Sequence, residues 1–194
     1  MFRTFLKWTG LILLFIIVGV SVTAAFRQHL KYDAPYPEIK ATTDMAVIER
    51  GKKIVIDKGC GYCHSSVDNI DSVLKAGQQP LLSGARKFET PFGTFFTPNL
   101  TPDAETGIGN MTDGEIARVL RYGVKSNSEA ALPFMQGQNM SDEDMTAVIS
   151  YLRSMKPVEN KVPEQSFNIL GQFAKAFMVK PALPENPVAV AKMN

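Results

Sequence analysis

Two cysteines and a histidine stand together in the sequence Cys60-Gly61-Tyr62-Cys63-His64. Two thiols three positions apart lie on one helical turn, where they can bond to the two vinyl groups of a porphyrin while the adjacent imidazole reaches the iron. This spacing is typical of c-type haem attachment. We therefore predict one covalently attached haem c, with Cys60 and Cys63 as thioether anchors and His64 as the proximal iron ligand.

Two close cysteines also occur in thioredoxin-like redox pairs, in halves of zinc sites and in local disulfides. Zinc requires a second pair of ligands, but the sequence has two cysteines in all, and its other histidine, His29, follows a long apolar run. A redox dithiol normally opens a helix after a strand, and nothing rich in strand-forming residues precedes Cys60. These observations favour haem over the three alternatives.

Haem iron has a second axial position that another side chain can fill. Since His29 lies far from the haem motif, ligation by two histidines is not expected. A methionine thioether is a soft, neutral donor, and His/Met ligation raises the haem potential and suits electron transfer. The sequence has nine methionines, so their positions along the chain must distinguish among them.

The composition limits the class of protein. A length of 194 residues suits one modest domain with accessory segments. The formal net charge of +2 is too small to indicate a nucleic-acid partner. We expect any protein partner to dock through local patches rather than through net charge.

The first 26 residues are strongly apolar. The run from Trp8 to Phe26 has no formal charge and is flanked by basic residues; as a helix it would be about 28 Å long, close to the hydrocarbon thickness of a bilayer. Val22-Thr23-Ala24 offers a cleavage point for a signal peptide, but the run is longer than a usual apolar signal core of about 7–15 residues. We therefore predict a retained transmembrane anchor over residues 1–26.

The rest of the chain divides into three predicted parts. Residues 27–43 contain two prolines in a polar stretch and are expected to form a linker. This linker either lets the domain swing above the membrane or is held against the domain or a partner. Residues 44–157 form the haem domain, and residues 158–194 form a C-terminal extension. Within the domain, the glycines and prolines of residues 82–103 predict a loop region.

Helix signals mark both ends of the haem domain. A first helix is predicted from Asp44, with Thr42 or Thr43 as its cap. Gly51 is costly inside this helix unless another segment approaches it closely. A last helix is predicted after Ser141.

Between these helices, Thr112 and Glu115 form the pattern of a capping box, so we expect a middle helix over about Asp113 to Tyr122. Pro157 is expected to end the last helix.

These stretches are similar to those of a known family. The segment Gly51 to His64 resembles the N-terminal helix and haem-binding turn of class I cytochromes c, and Met140 to Arg153 resembles their terminal helix. The loop Pro98-Asn-Leu-Thr-Pro-Asp103, which precedes Thr-Gly-Ile-Gly, is similar to that of cytochrome c subunits and domains that work with membrane-bound dehydrogenases. The resemblance covers about residues 44–157. It implies an all-α class I cytochrome c fold, with the N- and C-terminal helices packed around the haem and a transmembrane helix before them.

The resemblance also implies a position for the distal iron ligand, in the loop before the terminal helix. There, many members of the family have Met-Pro-aromatic, whereas this chain has Leu132-Pro133-Phe134 followed by Met135. We predict His64 and Met135 as the axial ligands. Met140 is the second choice, because it directly precedes the last helix and can instead pack as a hydrophobic staple.

Apolar side chains near these ligands are expected to exclude water from the porphyrin, and a backbone carbonyl near Pro98 is expected to accept the ring hydrogen of His64. The apolar candidates are Phe92, Phe95, Phe96, Leu100, Leu120 and Phe134.

The C-terminal extension has an amphipathic segment of its own. From Ser166 to Lys180, apolar residues recur at helical spacing and form a stripe. This stripe has three possible partners: the chain's own domain, another protein, or the membrane surface.

The resemblance implies a monohaem electron carrier rather than an enzyme. Its redox partners would be a dehydrogenase or quinol-oxidising donor and a terminal oxidase or other acceptor. Because c-type haem is attached outside the cytoplasm, we expect a single-pass protein of the cytoplasmic membrane with the haem domain on the periplasmic side. The alternatives are a fixed haem subunit of a larger oxidoreductase or oxidase complex and a haem ligand sensor, which needs an open iron site.

Overall fold

The computed structural model describes residues 1–67, 69–134 and 137–184 and is mostly helical, as predicted. A small antiparallel sheet in the order β1-β2-β3 accompanies the helices. The elements are, in chain order, α1 (Phe2–Arg27), α2 (Met45–Asp57), α3 (Cys60–His64), α4 (Ile70–Lys75), β1 (Lys87–Thr90), β2 (Gly93–Phe96), α5 (Asp113–Tyr122), α6 (Asp142–Ser154), β3 (Ser166–Phe167) and α7 (Ile169–Phe177).

Helices α2 and α6 cross in direct contact, and Gly51 makes the crossing possible. A side chain at Gly51 would collide with the backbone carbonyl of Ala147, and its Cβ would lie 3.0 Å from Cβ of Tyr151. The predicted close approach at Gly51 is therefore confirmed. Ser141 starts α6 as expected, because its hydroxyl accepts the backbone N–H of Asp144.

The other helix starts follow from local polar residues. Thr112 and Glu115 form the predicted capping box of α5. The cap of α2 is Asp44, whose carboxylate accepts a backbone N–H two residues later, rather than Thr42 or Thr43. The Thr42 hydroxyl instead accepts the backbone N–H of Asp44, so it supports the capping residue.

The main core lies between α2, α5, α6 and the long connections around them. It also includes Ile39 from the N-terminal linker, which ties that segment to the domain. The buried members are Ile39, Val55, Leu82, Ile108, Ile116, Ala117, Met145, Val148, Ile149, Tyr151 and Leu152.

The linker over residues 27–43 is held against the domain by a buried arginine of α5. The Arg118 guanidinium donates to the carbonyl oxygens of Ala34 at 2.9 Å and Tyr32 at 3.3 Å, and it lies over the ring of Tyr36. The backbone N–H of Ala41 donates to the Asp113 carboxylate. The linker therefore packs on the domain, which is the second of the two expected arrangements.

The sheet lies in a region that the sequence predicted as loop. Strands β1 and β2 form a hairpin, and β2 pairs with β3 of the C-terminal extension, with Gly93 opposite Phe167 and Thr94 opposite Ser166. A side chain at Gly93 would collide with the carbonyl of Ser166. The glycine that suggested a loop is thus needed for the close approach of β3.

Candidate functional site

The residues of the haem motif form a helical turn of their own. Gly59 has φ of 68°, a left-handed conformation that glycine adopts readily, and it turns the chain from α2 into α3. Within α3, Cys60 is half-buried, Cys63 is exposed and His64 is 5% exposed. The structure therefore brings both predicted thiols and the predicted imidazole onto one turn.

The imidazole of His64 is held by the backbone. Its Nδ1 lies 3.0 Å from the carbonyl oxygen of Pro98, and a carbonyl only accepts, so Nδ1 carries the hydrogen and Nε2 keeps its lone pair. Burial lowers the pKa of His64, and the bond to Pro98 opposes this effect. The side chain is thus a neutral imidazole with Nε2 available to a metal, and the expected carbonyl partner is confirmed as Pro98.

A glycine fills the space between His64 and Pro98. The backbone N–H of Gly84 donates to the carbonyl of His64 at 2.7 Å. Gly84 has φ of 73°, and a Cβ there would lie 2.5 Å from the carbonyl carbon of Pro98. Because no other residue fits this position, Gly84 allows α3 and the Pro98 loop to approach each other.

A buried asparagine follows Pro98, although it was not among the residues predicted for the site. Asn99 is 2% exposed. Its side-chain N–H donates to the carbonyl of Val158 at 2.8 Å and to the hydroxyl of Thr106 at 3.2 Å, while its oxygen accepts from the backbone and hydroxyl of Thr101. The sequence offered one signal for this role, a polar residue in the short stretch between Pro98 and Pro102. Asn99 fixes the backbone that carries the Pro98 carbonyl.

The chain beyond α6 completes this support. Asn160 donates its side-chain N–H to the carbonyl of Ser83 at 2.8 Å, and its backbone N–H donates to the hydroxyl of Thr106 at 2.9 Å. Ser83 directly precedes Gly84. The segment around Asn160 therefore fastens both loops that contact His64.

The predicted distal ligand Met135 lies outside the described residues. Met140, the second choice, is partly buried against the main core, and its carbonyl accepts from Arg121 at 3.0 Å. The neighbouring residue Phe134 is 74% exposed. The position of Met140 agrees with the staple role that the sequence suggested for it.

The apolar residues predicted to exclude water from the porphyrin do not form one cluster. Phe95 is buried and meets Phe167 edge to face, with 5.0 Å between ring centres. Leu100 and Leu120 pack on the main core. Phe92, like Phe134, is exposed. Phe95 thus joins the hairpin to the C-terminal extension, a contact that the sequence analysis did not predict.

The donor set fits a covalently attached porphyrin better than a bare metal ion. Both cysteines are free thiols, and burial raises the pKa of Cys60, which keeps that thiol protonated before any bond forms. Within residues 1–67, 69–134 and 137–184, no three histidine, cysteine or acidic side chains converge as a metal site. Zinc therefore lacks ligands here, whereas two thiols beside one oriented imidazole match the needs of haem c.

The helix α1 extends from the N-terminus with apolar side chains exposed along its length. Among the described residues, it is the one helix that is long and apolar enough to cross a membrane, and its position near the N-terminus also suits a signal sequence.

Comparison with known proteins matches residues 48–156 to the family profile described as Cytochrome c. A nicotinate dehydrogenase subunit of Pseudomonas putida is 32% identical over 121 residues, which cover 61% of this chain and 9% of the relative. The cytochrome c subunit of alcohol dehydrogenase (quinone) from Gluconobacter oxydans is 31% identical over 130 residues, covering 64% and 25%. The fructose dehydrogenase cytochrome subunit of Gluconobacter japonicus is 25% identical over 163 residues, covering 82% and 30%. The chain spans less than a third of the length of each relative.

Proposed function

This chain belongs to the cytochrome c family, and we propose that it carries single electrons between redox partners as a membrane-anchored monohaem protein. Its cofactor is covalently bound haem c. When bound, haem supplies an iron centre that takes up and releases one electron by cycling between Fe(II) and Fe(III). The observation that carries the proposal is the buried His64, whose Nδ1 donates to the carbonyl of Pro98 and whose Nε2 therefore keeps its lone pair, on the same turn as two free thiols.

Three residues of α3 and the loop behind them have distinct roles in this proposal. Cys60 and Cys63 hold the porphyrin through thioether bonds, and His64 binds the iron through Nε2. The carbonyl of Pro98 fixes the orientation of the imidazole and increases its basicity. Asn99 holds the Pro98 loop, and Asn160 holds the facing loop at Ser83. Because both loops are held, the ligand would need little rearrangement when the iron changes its charge.

We assign Met135 as the distal ligand. Four other methionines of the haem domain, Met111, Met140, Met145 and Met155, pack in or against the main core. Met45 is exposed at the start of α2, outside the loop before the terminal helix. A thioether ligand that stays bound in both oxidation states suits electron transfer rather than ligand sensing.

Helix α1 is proposed to be retained as a transmembrane anchor, with the haem domain on the extracytoplasmic side of the cytoplasmic membrane. The sidedness rests on the attachment of haem c, which takes place outside the cytoplasm. The length and apolar character of α1 support the anchor.

The test uses the purified full-length protein. The pigment should remain with the polypeptide after denaturation, and the ferric protein should show the near-infrared band of methionine-to-iron charge transfer. Met135→Ala should abolish this band and allow the reduced protein to bind carbon monoxide, whereas the matched variant Met140→Ala should keep the band. Loss of the band in Met140→Ala alone would reassign the ligand, and its absence from the unmodified protein would replace the electron carrier by an open-site haem protein.

A second candidate is a fixed haem subunit of a larger oxidoreductase. The names of several relatives favour it, since they are cytochrome subunits of alcohol, gluconate and fructose dehydrogenases. Extraction of the protein from its native membrane in a mild detergent distinguishes the fixed subunit from the mobile carrier. A stable complex with a dehydrogenase would support the subunit, and recovery of the free cytochrome would support the mobile carrier.

A further inference from the structure

Helix α7 lies against the end of the proposed membrane anchor. The Arg27 side chain at the end of α1 donates through Nε to the carbonyl of Ala176 at 3.0 Å, and its guanidinium lies 5.4 Å from the centre of the Phe177 ring. Ala24 is the buried residue of α1, and Ala176 is buried in α7. The two helices therefore share a packed junction.

The position of this junction along α1 determines how deep the junction lies in a bilayer that α1 spans. Ala24 and Phe26 belong to the apolar run, and Arg27 is the first charged residue after it. At about 1.5 Å per residue, Ala24 lies about 5 Å inside the end of the helix. When α1 spans a bilayer, α7 is thus placed where the hydrocarbon region meets the lipid headgroups.

The face of α7 turned away from the protein is apolar. Ile169 is 87% exposed, Leu170 is 55% exposed and Phe173 is 44% exposed. From Ser166 to Lys180 the chain has no acidic residue, so this segment brings no negative charge to the anionic surface of a membrane. Lys175 lies over the ring of Phe167 and interacts with Glu129, so the large apolar side chains are what suit insertion into the headgroup boundary.

The haem domain is attached to α7 through the sheet. Gly171 touches the carbonyl of Phe92 so closely that a side chain there would collide with it. Asn168 donates its backbone N–H to the carbonyl of Phe92 at 3.1 Å and its side-chain N–H to the carbonyl of Pro91 at 2.8 Å. Together with the edge-to-face contact of Phe95 and Phe167, these bonds make α7 and the hairpin one unit.

We propose that α7 lies in the lipid headgroup boundary beside α1, with Ile169, Leu170 and Phe173 facing the acyl chains. The occupant of this face is the bilayer itself, because α7 contacts α1 at the end of its apolar run, at the depth of the headgroup boundary. The membrane then holds the haem domain at two adjacent points, so its orientation toward the membrane plane is fixed. This inference rests on the retained anchor of the proposed function.

Spin labelling of the full-length haem protein tests this placement. Haem attachment consumes both native thiols, so one engineered cysteine can be labelled in vesicles of phosphatidylcholine with a minor share of phosphatidylglycerol. Phe173→Cys reports on α7, Ile16→Cys on the bilayer, and Glu143→Cys on an exposed site of α6. The relaxation rate of each label is measured with oxygen, which concentrates in lipid, and with a water-soluble nickel chelate. Subtracting the relaxation rate measured without either reagent removes the contribution of the ferric haem and leaves the collision rates.

The label at Phe173→Cys should collide preferentially with oxygen, like that at Ile16→Cys, while the label at Glu143→Cys should collide with nickel. Ile169→Cys gives a second reading if Phe173→Cys fails to fold, which the haem spectrum reveals. Nickel access at both α7 positions with oxygen access at Ile16→Cys would overturn the membrane placement alone. Nickel access at Ile16→Cys would overturn the anchor as well. Shielding of α7 from both reagents would also overturn the proposal, because it would mean that a protein surface covers this face.

Discussion

The side-chain amide of Asn99 donates to the carbonyl oxygen of Val158 across 2.8 Å, and this bond joins the loop behind the haem ligand to the chain beyond α6. Asn99 directly follows Pro98, whose carbonyl accepts from His64. Residues that never touch the imidazole therefore determine where its acceptor lies. This relationship gives the C-terminal extension an influence on the proposed iron ligand, His64.

Replacing Asn99 by alanine should both destabilise the protein and raise its reduction potential. The variant removes the buried bonds that Asn99 makes to the carbonyl of Val158 and to the backbone N–H and hydroxyl of Thr101, which should cost about 1–3 kcal/mol of unfolding free energy. A looser Pro98 carbonyl makes His64 a weaker electron donor, and a weaker donor favours the ferrous state. Potentiometric titration and denaturant unfolding measure the two effects.

Asn110→Ala is the matched control for Asn99→Ala. Asn110 also donates its side-chain amide to a loop carbonyl, that of Ala104 at 2.7 Å, but it is exposed. Its loss should leave the potential unchanged. An equal shift of potential in both variants would mean that the His64 acceptor does not depend on Asn99.

The crossing of α2 and α6 predicts an unusual sign for a glycine-to-alanine change. Helix propensity alone would make Gly51→Ala stabilising by about 1 kcal/mol. However, the added methyl would collide with the Ala147 carbonyl, and separating the two helices should outweigh this gain, with a net loss of about 2 kcal/mol. Thermal unfolding followed by the haem absorbance measures the difference. Lys53→Ala, at an exposed site of α2, should have almost no effect, and a stabilised Gly51→Ala would contradict the observed crossing.

The features that were predictable from the sequence depend on neighbouring residues. The spacing of Cys60, Cys63 and His64 determines that they share a turn, and Thr112 with Glu115 determines the start of α5, because both patterns act within a few residues. The assignment of Met135 stays a prediction. It depends on the resemblance of one loop rather than on a contact that can be described.

The features that escaped prediction depend on residues far apart in the chain. Asn99 becomes a supporting residue only when Val158 is brought beside it, and β2 gains its second partner, β3, only when Phe167 returns to the hairpin. Neither short strand has enough residues to show a periodic pattern. A buried polar side chain is therefore recognised from its partners, which the sequence alone does not reveal.

The buried guanidinium of Arg118 should control the order of the linker. Arg118→Met keeps much of the side-chain volume but removes the donors to Ala34 and Tyr32, so we expect a loss of about 2–4 kcal/mol in unfolding free energy. Amide hydrogen exchange over residues 31–41 should accelerate strongly. Arg50→Met, which removes an exposed ion pair with Asp144, should cost less than about 1 kcal/mol and leave exchange in the linker unchanged.

The carboxylate of Glu129 should make the junction of α1 and α7 sensitive to acid. Burial alone would raise the pKa of Glu129, but Lys125, Lys175 and Lys31 outweigh it, so the folded-state pKa lies below the ordinary value of 4.5. Because the folded-state pKa is lowered, the ionised carboxylate stabilises the folded protein fully above about pH 4.5. This stabilisation is lost as the pH falls through the folded-state pKa.

Glu129→Gln should therefore reduce stability near neutral pH and flatten its decline in acid, because no proton is then taken up at this site. Denaturant unfolding at a series of pH values measures the slope, and exchange over α7 locates the effect at the junction. Glu164→Gln, at an exposed site before β3, is the matched control. Parallel pH profiles for Glu129→Gln and the unmodified protein would show that the three lysines do not stabilise the junction through this carboxylate.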